Sequence, residues 1–296
     1  LPMTKLGSAG MFVGIITAII AVEIYHFMDA KNLKIKMPDA VPPAVAKSFE
    51  NLTPAAVVIL LIGAITFWFG FDWHGFIGKL ITPLVSASDS LGSVILIVFL
   101  TTFFWCFGIH GASIVGSLAR PVWLILLEAN TTAMSNGQAL PNIAPEPFYQ
   151  WFIWIGGAGC TIGLAILMAF RSRSSYAKSL GKTALLPCLF NINEPIIFGT
   201  PIVLNPTLMI PFIISPIINA IIAYGATAAG LVNRVSVNAP WTLPGPIGAY
   251  LATGADWRAI VLSLLLIVLS VVIYYPFFKM WDNELLAEEE KNETNA

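Results

Sequence analysis

Five ionisable residues lie within or beside apolar stretches of this sequence and are the first candidates for chemistry: Glu23, His26, His110, Arg120 and Glu194. Charge in an apolar environment is costly, so such residues indicate function by default. Glu194 is the strongest candidate, because it lies in the segment NINEPIIFG (191–199) together with Asn191 and Asn193. Amide and carboxylate groups at this spacing suit a polyhydroxylated ligand. The alternative is a carboxylate buried against a partner to fix helix packing.

The stretch around Glu194 is rich in proline. It contains Pro187, Pro195, Pro201, Pro206, Pro211 and Pro216. Each proline removes a backbone donor and clashes with a preceding carbonyl of a helix. The sequence therefore predicts irregular backbone throughout this stretch, with free carbonyls and amides available to a ligand.

His110 ends an apolar run and is flanked by Gly108 and Gly111, which allow a ligand or another backbone to come close. It is a candidate acid, base or hydrogen-bond donor, and the alternative is a structural histidine at a helix end. A histidine and a glutamate without a third ligand at helical spacing do not predict a metal site. The sequence also has no Gly-rich nucleotide-binding motif, so we expect no cofactor and no ATPase activity.

Trp241 lies in a second stretch broken by Pro and Gly, at 237–248, and its ring is suited to stacking on the apolar face of a sugar. The alternative is an interfacial tryptophan of a membrane belt. Arg120 could pair with a carboxylate or a phosphate. Glu23 and His26 are one helical turn apart, and we interpret them as an interfacial pair without an assigned task.

The composition sets the environment in which these residues must work. Of 296 residues 57% are hydrophobic and only 10% are charged, against about 25% charged in a soluble domain. The chain is therefore predicted to be a membrane protein, and an ordinary soluble enzyme is excluded. The net charge of -1 offers no basic surface for nucleic acid. The three cysteines lie in apolar runs and are interpreted as small buried hydrophobic residues.

Apolar runs of nearly 20 residues predict membrane-spanning helices. Six such runs are found, at 10–27, 54–71, 94–109, 148–170, 207–229 and 259–278. Three further apolar stretches are interrupted by Gly, Pro or polar residues, at 111–127, 185–205 and 237–251, and an amphipathic interfacial piece is predicted at 75–90. The predicted fold class is an all-α integral membrane protein, a multi-span helical bundle whose re-entrant, Pro/Gly-broken hairpins form the substrate site.

Loop charges predict the orientation, because short cytoplasmic loops carry excess Lys and Arg. Two loops are predicted to be cytoplasmic on the basis of Lys31, Lys34, Lys36 and Lys47, and of Arg171, Arg173, Lys178 and Lys182. The segment 128–146 has neither residue type and is predicted to be external. The acidic tail, 282–296, is expected to be cytoplasmic, frayed and solvated, not a site.

Four segments together resemble a known family: GIHG (108–111), NINEPIIFG (191–199), APWTLPGPIG (239–248) and GADWR (254–258). They are similar to enzyme IIC, the membrane component of the sugar phosphotransferase system, in its lactose/cellobiose/diacetylchitobiose branch. Members of that family have further N-terminal spanning helices, so we expect this chain to be part of something longer. The resemblance implies a remnant of scaffold and dimerisation helices at 1–53, a substrate-binding and transport domain at 54–281, and the acidic tail.

The resemblance also implies a function. It implies a homodimeric permease in the lipid of a bacterial cytoplasmic membrane, which carries a β-linked disaccharide inward for phosphorylation by a phosphorylated enzyme IIB partner. His110 and Glu194 match the family's site histidine and glutamate, and Asn193 matches the asparagine before that glutamate. No covalent phosphoenzyme is implied on this chain, and GADWR leans toward cellobiose among the disaccharides. The rival hypothesis is a secondary sugar transporter driven by an ion gradient, with Glu194 as its proton site.

Overall fold

The structure is a computed structural model, which describes residues 8–33, 35, 37–38 and 41–294. The residues described form twelve α-helices and no β-strand. The helices are α1 (Ser8–Ala30), α2 (Pro43–Phe67), α3 (Trp73–Ser88), α4 (Leu91–Cys106), α5 (Gly111–Ser135), α6 (Glu146–Phe152), α7 (Ile162–Arg171), α8 (Ser175–Leu189), α9 (Glu194–Gly199), α10 (Pro206–Ala228), α11 (Gly245–Ala252) and α12 (Trp257–Thr294).

Five helices are long and apolar enough to cross a membrane, namely α1, α2, α5, α10 and α12. The count becomes six if α3 and α4, which pass this test only as a bent pair, form one span. The amphipathic piece predicted at 75–90 corresponds to α3. The predicted all-helical, multi-span bundle is therefore confirmed.

The chain divides into two compact units, one ending at Pro83 and the other beginning at Leu84. In the first unit α1 packs against α2. The sequence boundary predicted between residues 53 and 54 falls inside α2, because Pro54 does not start that helix but is accommodated within it. Prolines are tolerated inside membrane helices, since neighbouring groups can satisfy the freed carbonyl. The functional division into scaffold and transport domain stays a prediction.

Three of the predicted spans and breaks are corrected. Residues 148–170 do not form one span, because the chain leaves helical geometry between α6 and α7. There Gly156, Gly157 and Gly159 all have positive φ, which no helix residue adopts. Conversely, residues 111–127 lie in the continuous helix α5, and α10 is one helix that contains Pro211 and Pro216. Within the proline-rich stretch the irregular backbone is thus restricted to the turns on either side of α9, whereas the stretch predicted at 237–251 is irregular up to residue 244.

The core of the second unit lies around α6. The side chains of Phe148, Tyr149, Trp151 and Phe152 are completely buried. α6 packs against α5, α10, α11 and α12, and α7 packs against α8 and α12. Gly248 of α11 lies against the ring of Trp151, where a Cβ would come within 2.2 Å. This packing fixes both ends of the irregular loop that follows α6.

The acidic tail differs from the expected frayed end, because α12 continues through it to Thr294. Asp282 is buried and accepts hydrogen bonds from the backbone N–H groups of Arg173 (3.0 Å) and Ser174 (3.3 Å). Glu289 accepts from the N–H groups of Ser175 and Tyr176, both at 3.1 Å. The two carboxylates occupy the unpaired N–H groups at the start of α8, where negative charge is favourable. Lys34 and Lys36, used to orient the first loop, lie outside the described residues.

Candidate functional site

A cavity of about 340 Å³ in the second unit is the candidate site. It is lined by the α4–α5 junction and α5 (Trp105, His110, Ala112, Gly116, Arg120, Trp123), by α6 and the loop after it (Glu146, Gln150, Trp154, Gly157, Ala158), by the α8–α9 turn (Asn191, Asn193, Glu194) and by Trp241. Its volume is at the lower end of the range of about 300–1000 Å³ that is typical of small-molecule sites.

The five residues that the sequence assigns to a ligand site all line this one cavity: His110, Asn191, Asn193, Glu194 and Trp241. They come from three segments that are separated by 80 and by about 50 residues in the chain. Their roles in binding remain a prediction, but the structure assigns them different positions and different partners.

Asn191 connects three segments of backbone. It is a left-handed residue with φ +63°, at the turn that ends α8. Its Oδ1 accepts from Gly156 N–H at 2.9 Å, and its Nδ2 donates to the carbonyls of Trp241 (2.7 Å) and Leu243 (2.9 Å). The side chain is therefore used to hold the cavity walls together, and both of its donor hydrogens are already engaged.

Asn193 has a similar task on the loop between α6 and α7. It is 4% exposed, and its Nδ2 donates to the Ala158 carbonyl at 2.8 Å and to the Thr161 hydroxyl at 3.0 Å. A Cβ on Gly157 would come within 2.5 Å of the Asn193 side-chain oxygen, so this loop approaches as closely as a glycine permits. We interpret Asn191 and Asn193 as positioning residues of the cavity wall.

His110 caps the N-terminus of α5. Its Nδ1 accepts from the Ser113 N–H at 3.1 Å and is 2.8 Å from the Ser113 hydroxyl. In the neutral imidazole, an accepting Nδ1 places the hydrogen on Nε2, which is then a donor. The ring also packs against Trp105, with centroids 4.3 Å apart. Gly111 beside it lies directly against the Thr101 carbonyl, which explains one of the flanking glycines by a close backbone approach.

Glu194 is the first residue of α9 and its side chain is exposed to the cavity. Among the residues that the structure describes, its carboxylate has neither a hydrogen-bond donor nor a cationic partner. Glu194 thus has both carboxylate oxygens available to a ligand.

Arg120 does pair with a carboxylate, that of Glu146. The guanidinium Nε and Nη2 donate to the same Glu146 oxygen at 3.2 and 3.1 Å. Both residues line the cavity, so the pair contributes two opposite charges to one wall. Glu23 and His26, which the sequence analysis interpreted as an interfacial pair, lie on α1 in the first unit.

The aromatic lining is larger than the sequence indicated. Besides Trp241, which is 57% exposed, the indoles of Trp105, Trp123 and Trp154 line the cavity. Sequence reasoning missed these three rings and also Glu146 and Gln150. The available signal was weak: Trp105 lies five residues before His110, and Gln150 lies between aromatic residues, but only packing selects these positions from the other tryptophans.

The GADWR segment (254–258) does not line this cavity. Asp256 accepts from the N–H groups of Asn233 (2.8 Å) and Arg258 (3.0 Å), and from the Arg258 guanidinium at 2.9 Å. Burial raises the pKa of the Asp256 carboxyl, but these hydrogen bonds outweigh that effect and leave the pKa below its ordinary value. In the described part of the chain, no three His, Cys, Asp or Glu side chains come together as a metal site requires.

The family model and the sequence relatives of this chain agree on one family. The family model for phosphotransferase system EIIC matches residues 1–216. The chain is 41% identical over 302 residues to the cellobiose-specific EIIC component of Geobacillus stearothermophilus, covering 99% of this chain and 67% of that protein. It is 34% identical over 296 residues to the lactose-specific EIICB component of Staphylococcus aureus (strain N315), covering 98% and 52%.

A solved structure agrees with the sequence relatives. The crystal structure of the transporter ChbC, the IIC component of the N,N'-diacetylchitobiose-specific phosphotransferase system, superimposes with a TM-score of 0.91 at 41% identity. The match covers 98% of this chain and 68% of that one. The chain spans about two thirds of the length of the IIC relatives that it matches.

Proposed function

The chain belongs to the phosphotransferase system EIIC family, and from this premise we propose that it binds a β-linked disaccharide of the cellobiose, diacetylchitobiose or lactose type and carries it inward across a bacterial cytoplasmic membrane. A hydroxyl of the sugar is then phosphorylated by phosphorylated IIB. The chain is thus the membrane component of a protein-phosphohistidine–sugar phosphotransferase, whose phosphoryl donor is on the IIB subunit.

The observation that carries this proposal is the unpartnered Glu194 carboxylate, in the same cavity as the His110 imidazole and four indole rings. A carboxylate accepts a hydrogen bond from a sugar hydroxyl, and a neutral imidazole with hydrogen on Nε2 donates one to a neighbouring oxygen. Aromatic faces cover the apolar faces of the sugar rings. A cavity with few polar groups among aromatic walls is typical of small-molecule sites.

The chemistry that follows uses Glu194 as a general base. As the hydroxyl oxygen forms its bond to phosphorus, the bond from phosphorus to the IIB donor breaks and the hydroxyl proton passes to the Glu194 carboxylate. Proton transfer by a positioned side chain contributes about 10²–10⁴-fold to such a step. His110 holds the same end of the sugar, and the Asn191 and Asn193 amides keep the walls in place.

The names of the relatives support the partners. The Staphylococcus relative is an EIICB component, which joins a B part to the C part, and this favours IIB as the partner of the present chain. The proposal further includes a homodimer in membrane lipid, with the C-terminus and the basic α7–α8 loop on the cytoplasmic side. The excess of Lys and Arg in that loop supports this orientation.

The test is equilibrium binding of a radiolabelled disaccharide panel to the purified protein, with Glu194→Gln beside the wild type. Loss of a hydrogen bond to a charged group costs about 1.5–3 kcal/mol, which corresponds to about a 10- to 150-fold loss of affinity. Glu284→Gln, an exposed carboxylate on α12, is the matched control and should bind like the wild type.

The second arm of the test identifies the product. Vesicles that contain the protein and phosphorylated IIB should release the sugar as its phosphate. Unchanged affinity in Glu194→Gln would remove this residue from the site. Accumulation of unmodified sugar under a proton gradient, without IIB, would support the ion-driven transporter instead.

A further inference from the structure

A second cavity, separate from the sugar site, lies where the basic loop after α7 meets α12. It has a volume of about 320 Å³ and is lined by Arg171, Arg173, Tyr275, Phe278, Lys279, Asp282 and Asn283. It lies at the end of the apolar part of α12, because Lys279 is the first charged residue after the run 259–278. The cavity is therefore at the boundary between apolar and polar surroundings.

The charges of this cavity are unbalanced. Its one carboxylate, Asp282, is committed to the Arg173 and Ser174 N–H groups. Among the residues described, no carboxylate forms an ion pair with Arg171, Arg173 or Lys279. The Arg173 guanidinium instead donates to the neutral amide of Asn283 at 2.7 Å. Three cations around one committed carboxylate leave an excess of positive charge that an anion would neutralise.

The exposed face of α12 leads directly into this cavity. Its large apolar residues recur every three or four positions, which places them on one side of the helix. They are Val261, Leu264, Leu265, Val268, Val272 and Tyr275, each between 44% and 62% exposed. Lys279 continues the same spacing and is exposed. Hydrocarbon chains fit such a stripe, and a tyrosine followed by a lysine is typical of its interfacial end.

We propose that this cavity binds the phosphate headgroup of an anionic phospholipid, with the acyl chains along the α12 stripe. Such a lipid satisfies both features at once, because its phosphate meets the cations and its tails cover the apolar face. A free phosphate would leave the stripe uncovered, and an acidic protein would use the charges without the stripe. Basic pockets between membrane helices on the cytoplasmic side are suited to anionic headgroups.

The experiment measures lipid retention by native mass spectrometry of the purified full chain. Dioleoyl phosphatidylglycerol and dioleoyl phosphatidylcholine are offered in separate samples, and inorganic phosphate is added as competitor in a third. We expect the wild type to retain phosphatidylglycerol in preference to phosphatidylcholine. Each removed cation should weaken that retention about fivefold, so Arg171→Gln/Lys279→Gln should lose about 25-fold.

The matched control is Lys178→Gln/Lys182→Gln, which removes two exposed cations of the neighbouring helix α8 that do not line the cavity. It should retain phosphatidylglycerol like the wild type, and unchanged thermal unfolding in phosphatidylcholine shows that each variant is folded. An equal loss of phosphatidylglycerol retention in both double variants would mean that the lipid is attracted by surface charge in general, and it would overturn the proposed site. Complete displacement by millimolar phosphate would make it a site for a soluble anion. If Arg171→Gln/Lys279→Gln retained lipid like the wild type and lost only IIB-dependent phosphorylation, the cavity would be a contact site for a protein and the lipid proposal would be wrong.

Discussion

Two of the amides that line the candidate cavity, those of Asn191 and Asn193, are already hydrogen-bonded within the protein. Asn191 and Asn193 donate to four acceptors in the loops around them, whereas the Glu194 carboxylate next to them has no partner among the described residues. Buried amides of this kind fix loop positions, because a buried donor left without an acceptor costs more free energy than one hydrogen bond contributes on average. Asn191 and Asn193 thus hold the cavity wall, whereas ligand contact is the role that we propose for Glu194.

The backbone and the side chain of Trp241 have different surroundings. Its carbonyl accepts a hydrogen bond from Asn191, whereas its indole lies exposed at the cavity. Trp241→Ala keeps the carbonyl and removes the ring. We expect a loss of about 1 kcal/mol of stacking, hence about a fivefold weaker sugar affinity, with unchanged thermal unfolding. Trp257→Ala, where an indole 67% exposed does not line the cavity, is the control. A parallel loss of stability and binding in Trp241→Ala would assign its ring to packing.

At the scale of elements, the loop between α6 and α7 determines the shape of the site. It interrupts what the hydrophobic pattern predicts as one span, and its glycines allow the backbone to meet the α8–α9 turn closely. The loop is irregular yet almost wholly buried, which is tolerated because Asn191 and Asn193 satisfy part of its backbone. Glycine is therefore required in this loop because the loop and the α8–α9 turn come so close together.

Gly157→Ala tests that contact. The residue has φ +96°, and the new Cβ would meet the Asn193 side chain at 2.3 Å. Gly137→Ala is the matched control, since Gly137 has φ +66° but no atom within 4 Å. The control should cost about 1 kcal/mol of stability from backbone strain alone. Gly157→Ala should cost a further 1–3 kcal/mol, roughly, from overpacking, and it should also weaken sugar binding. Equal effects of both variants on thermal unfolding would contradict a tight loop–turn contact.

Asp256 connects the 230–236 loop to the start of α12, and its pKa gives a pH test. The folded-state pKa lies below the unfolded value of about 3.9. The carboxylate therefore stabilises the fold fully above about pH 4, and this contribution is lost as the pH falls through the folded-state pKa. Asp256→Asn should lower stability by about 1–3 kcal/mol at neutral pH, because an amide nitrogen cannot accept a hydrogen bond. The difference from wild type in thermal unfolding should shrink below pH 4, and a constant difference would be the contrary result.

At the scale of the whole molecule, orientation in the membrane is the property that function needs most. Basic residues after α7 and their absence from 128–146 predict that these two segments lie on opposite sides of the membrane. The proposed function requires this arrangement, because the sugar must enter from one side and leave toward IIB on the other.

Cysteine labelling measures this orientation, because Cys106, Cys160 and Cys188 are all buried and give a low background. Gln138→Cys and Ser179→Cys introduce thiols at exposed positions of the two segments. In intact cells a membrane-impermeant maleimide should label Gln138→Cys at once, and Ser179→Cys only after permeabilisation. Labelling of both from outside would place the two segments on one side and would require a different number of crossings.

The sequence by itself determined the apolar environment, the helical class, most of the spans and three of the segments that line the candidate cavity. Composition and hydrophobic run length are local properties, and the NINEPIIFG and GIHG segments lie entirely within short stretches. Proline was the weak point, because its effect depends on neighbours: Pro211 and Pro216 are accommodated in α10, whereas the chain is irregular around Pro201.

Only the tertiary structure decided which segments meet. The cavity joins residues from 105 to 241, the Arg120–Glu146 pair spans 26 positions, and Asp282 reaches the start of α8 across more than 100. It also decided that Asn191 and Asn193 hold the cavity wall and that the Glu194 carboxylate has no partner among the described residues. The acidic tail, finally, is a helix with structural contacts. Such outcomes follow from packing between distant elements, where a partner's position and not a residue's own type determines which hydrogen bonds are already made.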